Sequence, residues 1–283
     1  MIIILDLLIR EGVITLKIIR FLSSDETIVY GVFDPARPEE AEVINGDIFG
    51  DYTVTGDSKK IKKILPPVSP PNVFALGFSY GKHAEETDVK YPEIPVVFIK
   101  ATSSIVGQGE PIILPKAGPE EVDYEAELAV IIGKKVKNVA VSNAGKYIFG
   151  YTCANDVSAR DWQFHKQKHQ WARGKSFDTF CPIGPYIVTA DELEDPDKLT
   201  IKSVLNGNVM QNSSTSDMFF TVAEIVSNLS QSITLLPGTI IMTGTPEGVG
   251  FTREPPVFLR GGDTISVIIE RIGELTNPVV IEK

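Results

Sequence analysis

The sequence predicts a mostly β, α+β fold in two parts: a small β-rich N-terminal domain and a larger one. Apolar, β-branched segments recur along the chain with Gly and Pro between them. Helical spacing is rare; it is clearest at 221–229, where Ala223, Glu224, Ile225 and Val226 precede Leu229. The run Pro66-Pro67-Val68-Ser69-Pro70-Pro71 marks a linker at 66–71, because proline favours extended backbone without a donor. A length of 283 residues suits a main domain, 72–283, plus a small one, 17–65.

From the N-terminus, Met1-Ile2-Ile3-Ile4-Leu5 is apolar, but Asp6 interrupts it and no basic stretch precedes it, so export is not expected. Lys17-Ile18-Ile19-Arg20-Phe21 reads as a natural first strand. Residues 1–16 are therefore expected to be an extension from an upstream start, a reading that fails if a chain beginning near Val13 does not fold. Ile28 to Phe33 and Glu42 to Ile48 read as further strands, and the lysines of Ser58–Ile64 as a solvated face. After the linker, Asn72 to Gly77 reads as a buried strand, followed by a helical stretch through Tyr80, His83 and Glu86. Val96 to Lys100, Ile112 to Leu114, Ala126 to Ile132, Ile201 to Leu205, Ile240 to Thr243 and Thr264 to Ile269 read as strands. Helices are expected from Asn143 through Lys146 onward and over Thr221 to Leu229. Gln163 to Gln170, with His165 and His169, is expected to be a polar, mobile loop packed by Trp162 and Trp171.

A net charge of −10 argues against nonspecific attraction to nucleic acid or acidic membranes. No apolar run reaches transmembrane length. The two cysteines, Cys153 and Cys181, are too few for a secreted disulfide scaffold and point to a reducing cytoplasm.

Candidate chemistry centres on Val122 to Asp156. On a strand Glu125 and Glu127 would share a face, beside the costly apolar run Leu128 to Ile132, and Asp156 could add a third carboxylate. Three converging acids either titrate upward or hold a hard cation, and all-oxygen ligands suit magnesium, manganese or calcium rather than zinc. The spacing suits the wet face of an edge strand equally well. His83 and Glu86, three apart, can hydrogen-bond on a helix, either as an acid–base pair or as a structural contact. Thr243 to Gly250 is glycine-rich but fits neither a Walker A nor a GxGxxG pattern.

Six blocks in register resemble the fumarylacetoacetate hydrolase superfamily, covering about Pro71 to the C-terminus. They are Asp-Tyr-Glu-Ala-Glu-Leu at 123–128, Asn-Asp-Val-Ser-Ala-Arg-Asp-Trp-Gln at 155–163 and Gly-Lys-Ser-Phe-Asp-Thr-Phe-Cys-Pro-Ile-Gly-Pro at 174–185, then Asn-Gly at 206–207 with Gln211, Thr-Ser-Asp-Met at 215–218 and Thr-Gly-Thr-Pro-Glu-Gly-Val-Gly at 243–250. The resemblance implies a mixed β-roll or β-sandwich with Glu125, Glu127 and Asp156 around Mg2+ or Mn2+, with Ca2+ able to stand in within crystals. It implies a His83–Glu86 dyad on a lid helix, although Ser79 stands where Asn is common. It places Arg160 and Gln163 at a substrate oxyanion, Lys175 toward the metal-bound substrate, and Thr245, Gly244 and Tyr80 in substrate binding.

The expected activity is cleavage of a C–C bond in an acylpyruvate- or fumarylpyruvate-type 2-oxo acid, with the ion neutralising the leaving enolate. The same residues suit an oxaloacetate-type decarboxylase, a 2-hydroxyhepta-2,4-diene-1,7-dioate isomerase or a sugar-acid dehydratase. A scaffold that has lost its chemistry is the non-enzyme alternative. The resemblance also implies a homodimer.

Overall fold

The computed structural model describes residues 16–118 and 120–283, so the extension expected at the N-terminus lies, but for Leu16, outside the described residues. Four strands open the chain: β1 (Lys17–Ser23), β2 (Ile28–Phe33), β3 (Glu40–Gly46) and β4 (Tyr52–Leu65). β1 pairs with both β2 and β4, and β3 bridges those two, so the four close on themselves. The lysine segment belongs to β4. Nearly all its side chains are exposed or half-buried, so there is no polar/apolar alternation to reveal a strand.

Then follow β5 (Val73–Gly77), α1 (Gly81–Glu86), β6 (Val96–Lys100), β7 (Ile105–Val106), β8 (Ile112–Leu114), β9 (Val122–Asp123) and β10 (Ala126–Ile132). Next come α2 (Val141–Ala144), β11 (Ile148–Asn155), β12 (Ser158–Ala159), α3 (Trp171–Gly174), β13 (Cys181–Thr189), β14 (Thr200–Leu205) and β15 (Asn208–Ser214). The chain closes with α4 (Val222–Ser232), β16 (Ile240–Met242), β17 (Thr264–Ile269) and β18 (Gly273–Ile281). Among the described residues no helix is long and apolar enough to cross a membrane.

One mixed sheet runs β2-β3-β4-β1-β13-β11-β10-β16-β5-β6, with β7 beside β13, and a second runs β15-β14-β17-β18-β8. β10 is a central strand of the first sheet. Its Leu128, Val130 and Ile132 pack with Ile225 and Leu229 of α4 and Val267 of β17, whereas Ala129 and Ile131 join Val73, Ile240 and Ile183. Burial on both faces explains its unbroken apolar run. α4 begins with a capping box: the Thr221 hydroxyl accepts from the Glu224 N–H, and Glu224 accepts from the Thr221 N–H.

The helix expected from Asn143 onward is shorter: α2 ends at Ala144, a single tight turn follows, and Ile148 already starts β11. The loop expected over 163–170 begins instead as a wide helical turn, Asp161–Lys166, with Trp162 edge-on to Phe177. β13 and β18 were not expected as strands because Pro182, Pro185 and Pro278 lie within them.

Candidate active site and metal centre

The antiparallel register of β10 and β11 sets Ala126 opposite Asn155. The residues just outside that pair, Glu125 and Asp156, therefore meet, and the Asp156 N–H donates to the Glu125 carbonyl at 2.9 Å. The Asn155 side chain accepts from the Glu125 N–H at 3.0 Å, and Gln211 accepts from the Ala126 N–H at 3.0 Å. This network holds the turn from β9 into β10 so that Glu125 and Glu127 point the same way. One carboxylate oxygen from each of Glu125, Glu127 and Asp156 lies within 4.8 Å of the others, and all three residues are buried. The edge-strand alternative is thereby set aside.

Cations surround the acids. Lys175 donates to Glu125 Oε2 at 2.9 Å and to Asp156 Oδ2 at 2.6 Å. Arg160 Nη1 pairs with Glu125 Oε1 at 2.7 Å, and its Nε donates to Asp123 Oδ2 at 2.9 Å. Burial works against ionisation of Glu125, but Lys175 and Arg160 outweigh it and bring its pKa down to about 2. Glu127 is the opposite case: burial, with Asp156 and Glu125 beside it, holds its carboxyl well above the usual range. Its Oε2 accepts from the Gly244 N–H at 2.6 Å, but its buried Oε1 has no partner. An orphaned buried oxygen within an all-oxygen donor set fits a hard divalent cation, which would relieve that repulsion.

Beside the acids lies a small cleft lined by His83, Glu125, Arg160, Gln163, Lys175 and Thr245, with Phe78, Phe98, Phe164, Trp171 and Phe251 among its apolar walls. His83 Nδ1 is 3.2 Å from Glu86 Oε2, as the spacing on α1 predicts. Burial alone would raise the Glu86 pKa, yet hydrogen bonds from His83, Thr252 and the Gly248 N–H draw it below the usual carboxylate value. The bond from Thr252 Oγ1 to Glu86 Oε1 is 2.6 Å and docks α1 on the Gly248–Thr252 segment. Asp217, from the 215–218 block, accepts from the Lys82 N–H at 3.0 Å and secures the start of the same helix.

Of the remaining expected residues, Gln163 Oε1 accepts from Arg160 Nη1 at 2.9 Å, and the Thr245 hydroxyl accepts from Gln211 Nε2 at 2.7 Å. Gly244 does not line the cleft; its N–H fixes Glu127, and its φ of +93° suits glycine. Tyr80 is also outside the lining: it is fully buried at the N-cap of α1, where burial and nearby Glu127 push its pKa well up. His165 and His169 stay outside the cleft beside Phe164.

Lys100 and Asp123 escaped the sequence reading. Asp123, fully buried, ties Arg160 to the N–H groups of Gly250 and Phe251. The Lys100 ammonium, also buried, meets Asp156 Oδ1 and the Lys175 carbonyl. Strand alternation could have flagged Lys100, since it shares the inner face of β6 with Phe98 while Val97 and Ile99 point outward.

Comparison with known proteins identifies the family. The family model described as fumarylacetoacetate (FAA) hydrolase C-terminal matches residues 72–280, and the Rv2993c-like N-terminal model matches residues 16–63. A mitochondrial oxaloacetate tautomerase, fahd2 of Xenopus laevis, is 46% identical over 220 residues, covering 78% of this chain and 69% of that protein. The crystal structure of 5-carboxymethyl-2-hydroxymuconate delta-isomerase from Mycobacterium smegmatis superposes with a TM-score of 0.83 at 39% identity, covering 94% of this chain and 100% of that one. That of 2-hydroxyhepta-2,4-diene-1,7-dioate isomerase from Mycobacterium marinum gives 0.82 at 39% identity, covering 94% and 99%. With its C-terminal model matched over nearly three-quarters of its length and its site built on the residues the motifs carry, the chain belongs to the fumarylacetoacetate hydrolase family.

Proposed function

We propose that this protein is a divalent-metal-dependent enzyme that moves a proton on a small 2-oxo acid, interconverting enol and keto forms of a compound such as oxaloacetate. The observation that carries this reading is the buried cluster of Glu125, Glu127 and Asp156, with an orphaned oxygen, beside a cleft lined by Glu125 and by His83, whose Nδ1 meets Glu86. The relatives named as a tautomerase and as isomerases support proton transfer as the outcome. A bound Mg2+ or Mn2+ would supply positive charge for the substrate carboxylate and 2-oxo oxygen, making charge on that oxygen tolerable.

The chain's own groups do the rest. Glu86 accepts from Nδ1 of His83, which leaves Nε2 as the basic nitrogen to take the enol proton or return one to carbon. Lys175, held on Glu125 and Asp156, brings a fixed ammonium to the wall of the same cleft.

Hydrolysis of an acylpyruvate is the second reading. It draws support from Gln163, whose oxygen is held by Arg160, so that its amide nitrogen is the group left to donate to an oxyanion. Arg160 itself is committed to Asp123, Glu125 and Gln163, which favours proton transfer. The test follows enol-oxaloacetate decay and acetylpyruvate cleavage by ultraviolet absorbance, with Mg2+ and with chelator. We expect metal-dependent tautomerisation that His83→Ala slows about 10²- to 10⁴-fold. Equal rates with Mg2+ and with chelator on both substrates would sink the proposal.

A further inference from the structure

We infer that Lys100 is a positioning residue for the metal centre, setting Asp156 and Lys175 relative to each other without touching the substrate. This rests on the reading of Glu125, Glu127 and Asp156 as a cation site. Lys100 closes β6, its side chain is 0% exposed, and it does not line the cleft. Its ammonium has three N–H groups and finds three oxygens: Asp156 Oδ1, the Lys175 carbonyl and the Val157 carbonyl at 3.4 Å.

The circuit is closed, since the Lys175 ammonium returns to the other oxygen, Asp156 Oδ2, at 2.6 Å. Asp156 is thus gripped on both oxygens, and Lys175 at both its carbonyl and its ammonium. A buried ion pair adds little net stability over an apolar pair of the same volume, so stability alone does not account for a lysine here. Geometry does: a three-point donor on a sheet strand fixes which way the Asp156 carboxylate faces.

Position and charge predict opposite results for the same substitution. Removing a nearby positive charge, by itself, should tighten binding of a dication. Removing a positioning group should loosen it, and groups that orient metal ligands typically govern affinity about 10- to 100-fold. The experiment titrates Mn2+ into wild type, Lys100→Met and Lys100→Arg, reading free Mn2+ by its electron paramagnetic resonance signal, with circular dichroism reporting the fold. Positioning predicts a weaker Mn2+ Kd in the Met variant by about tenfold or more, with wild-type secondary structure and a larger loss in kcat than in KM. An unchanged or tighter Kd in a folded Met variant overturns the inference. If that variant does not fold, Lys100→Arg decides: it keeps the charge but not the three-point fit, so a wild-type Kd there is equally fatal. Failure of wild type itself to bind Mn2+ would strike the metal-site reading instead.

Discussion

At the scale of single residues, Glu127 concentrates the conflict between stability and function. Its carboxyl is buried, crowded by Asp156 and Glu125, and short of one partner. Glu127→Gln keeps the shape and removes the crowding, so without metal it should melt at or above the wild-type temperature. It should also lose the Mg2+-induced gain, which for wild type at 100 times Kd amounts to about 2.7 kcal/mol. Differential scanning fluorimetry with and without Mg2+ checks both signs, and a variant that still gains stability from Mg2+ contradicts the ligand assignment. Gly244 is the second sensitive point: a Cβ there would stand 2.6 Å from that of Ser79, at a backbone φ of +93°. Gly244→Ala should cost about 1–3 kcal/mol in urea unfolding and weaken Mn2+ binding, because the N–H that fixes Glu127 shifts with the strained backbone. The motif glycine was legible in sequence, but the Ser79 contact that makes it obligatory lies 165 positions away and was not.

At the scale of elements, α1 is a short helix held at its start by Asp217 and docked at its far end by Glu86. Glu86 reaches Thr252 and the Gly248 N–H, and a carboxylate with a lowered pKa is stabilising only where it is ionised. The contribution is complete above the unfolded value, about 4.5, and is lost as pH falls through the lower folded value. The protection factors of residues 81–87, exchange being corrected for its intrinsic pH dependence, should therefore fall below about pH 4.5 in wild type, while in Glu86→Gln they should be lower at neutral pH and nearly independent of acid. A pH-independent wild type would refute the role of Glu86 in docking. The His83–Glu86 spacing and the apolar run of β10 were readable because each is a local pattern. Proline-bearing β13 and exposed β4 were not, since their places are set by partner strands distant in sequence.

At the scale of the molecule, β13 connects two regions with separate tasks. Near one end Ile183 faces Ala154, next to the carboxylate cluster, and near the other Ile187 and Val188 pair with Ile18 and Lys17 of β1. Five residue steps along the strand take Ile183 to Val188, roughly 16 Å at about 3.3 Å per step. The four closed N-terminal strands thus extend the large sheet and cover its β13 edge without entering the cleft, whose lining residues all follow residue 75. Stability and chemistry should separate accordingly. Ile18 is fully buried in the cluster that holds Ile183 and Ile187, so Ile18→Ala should cost about 2–4 kcal/mol in denaturant unfolding. Below its unfolding transition the same variant should keep the wild-type Mn2+ Kd and kcat/KM within about twofold, since distant sites with no shared partners behave additively. A proportionate loss of Mn2+ affinity in the folded variant would mean that β13 transmits strain from one end to the other, making the N-terminal strands part of the active site's scaffold.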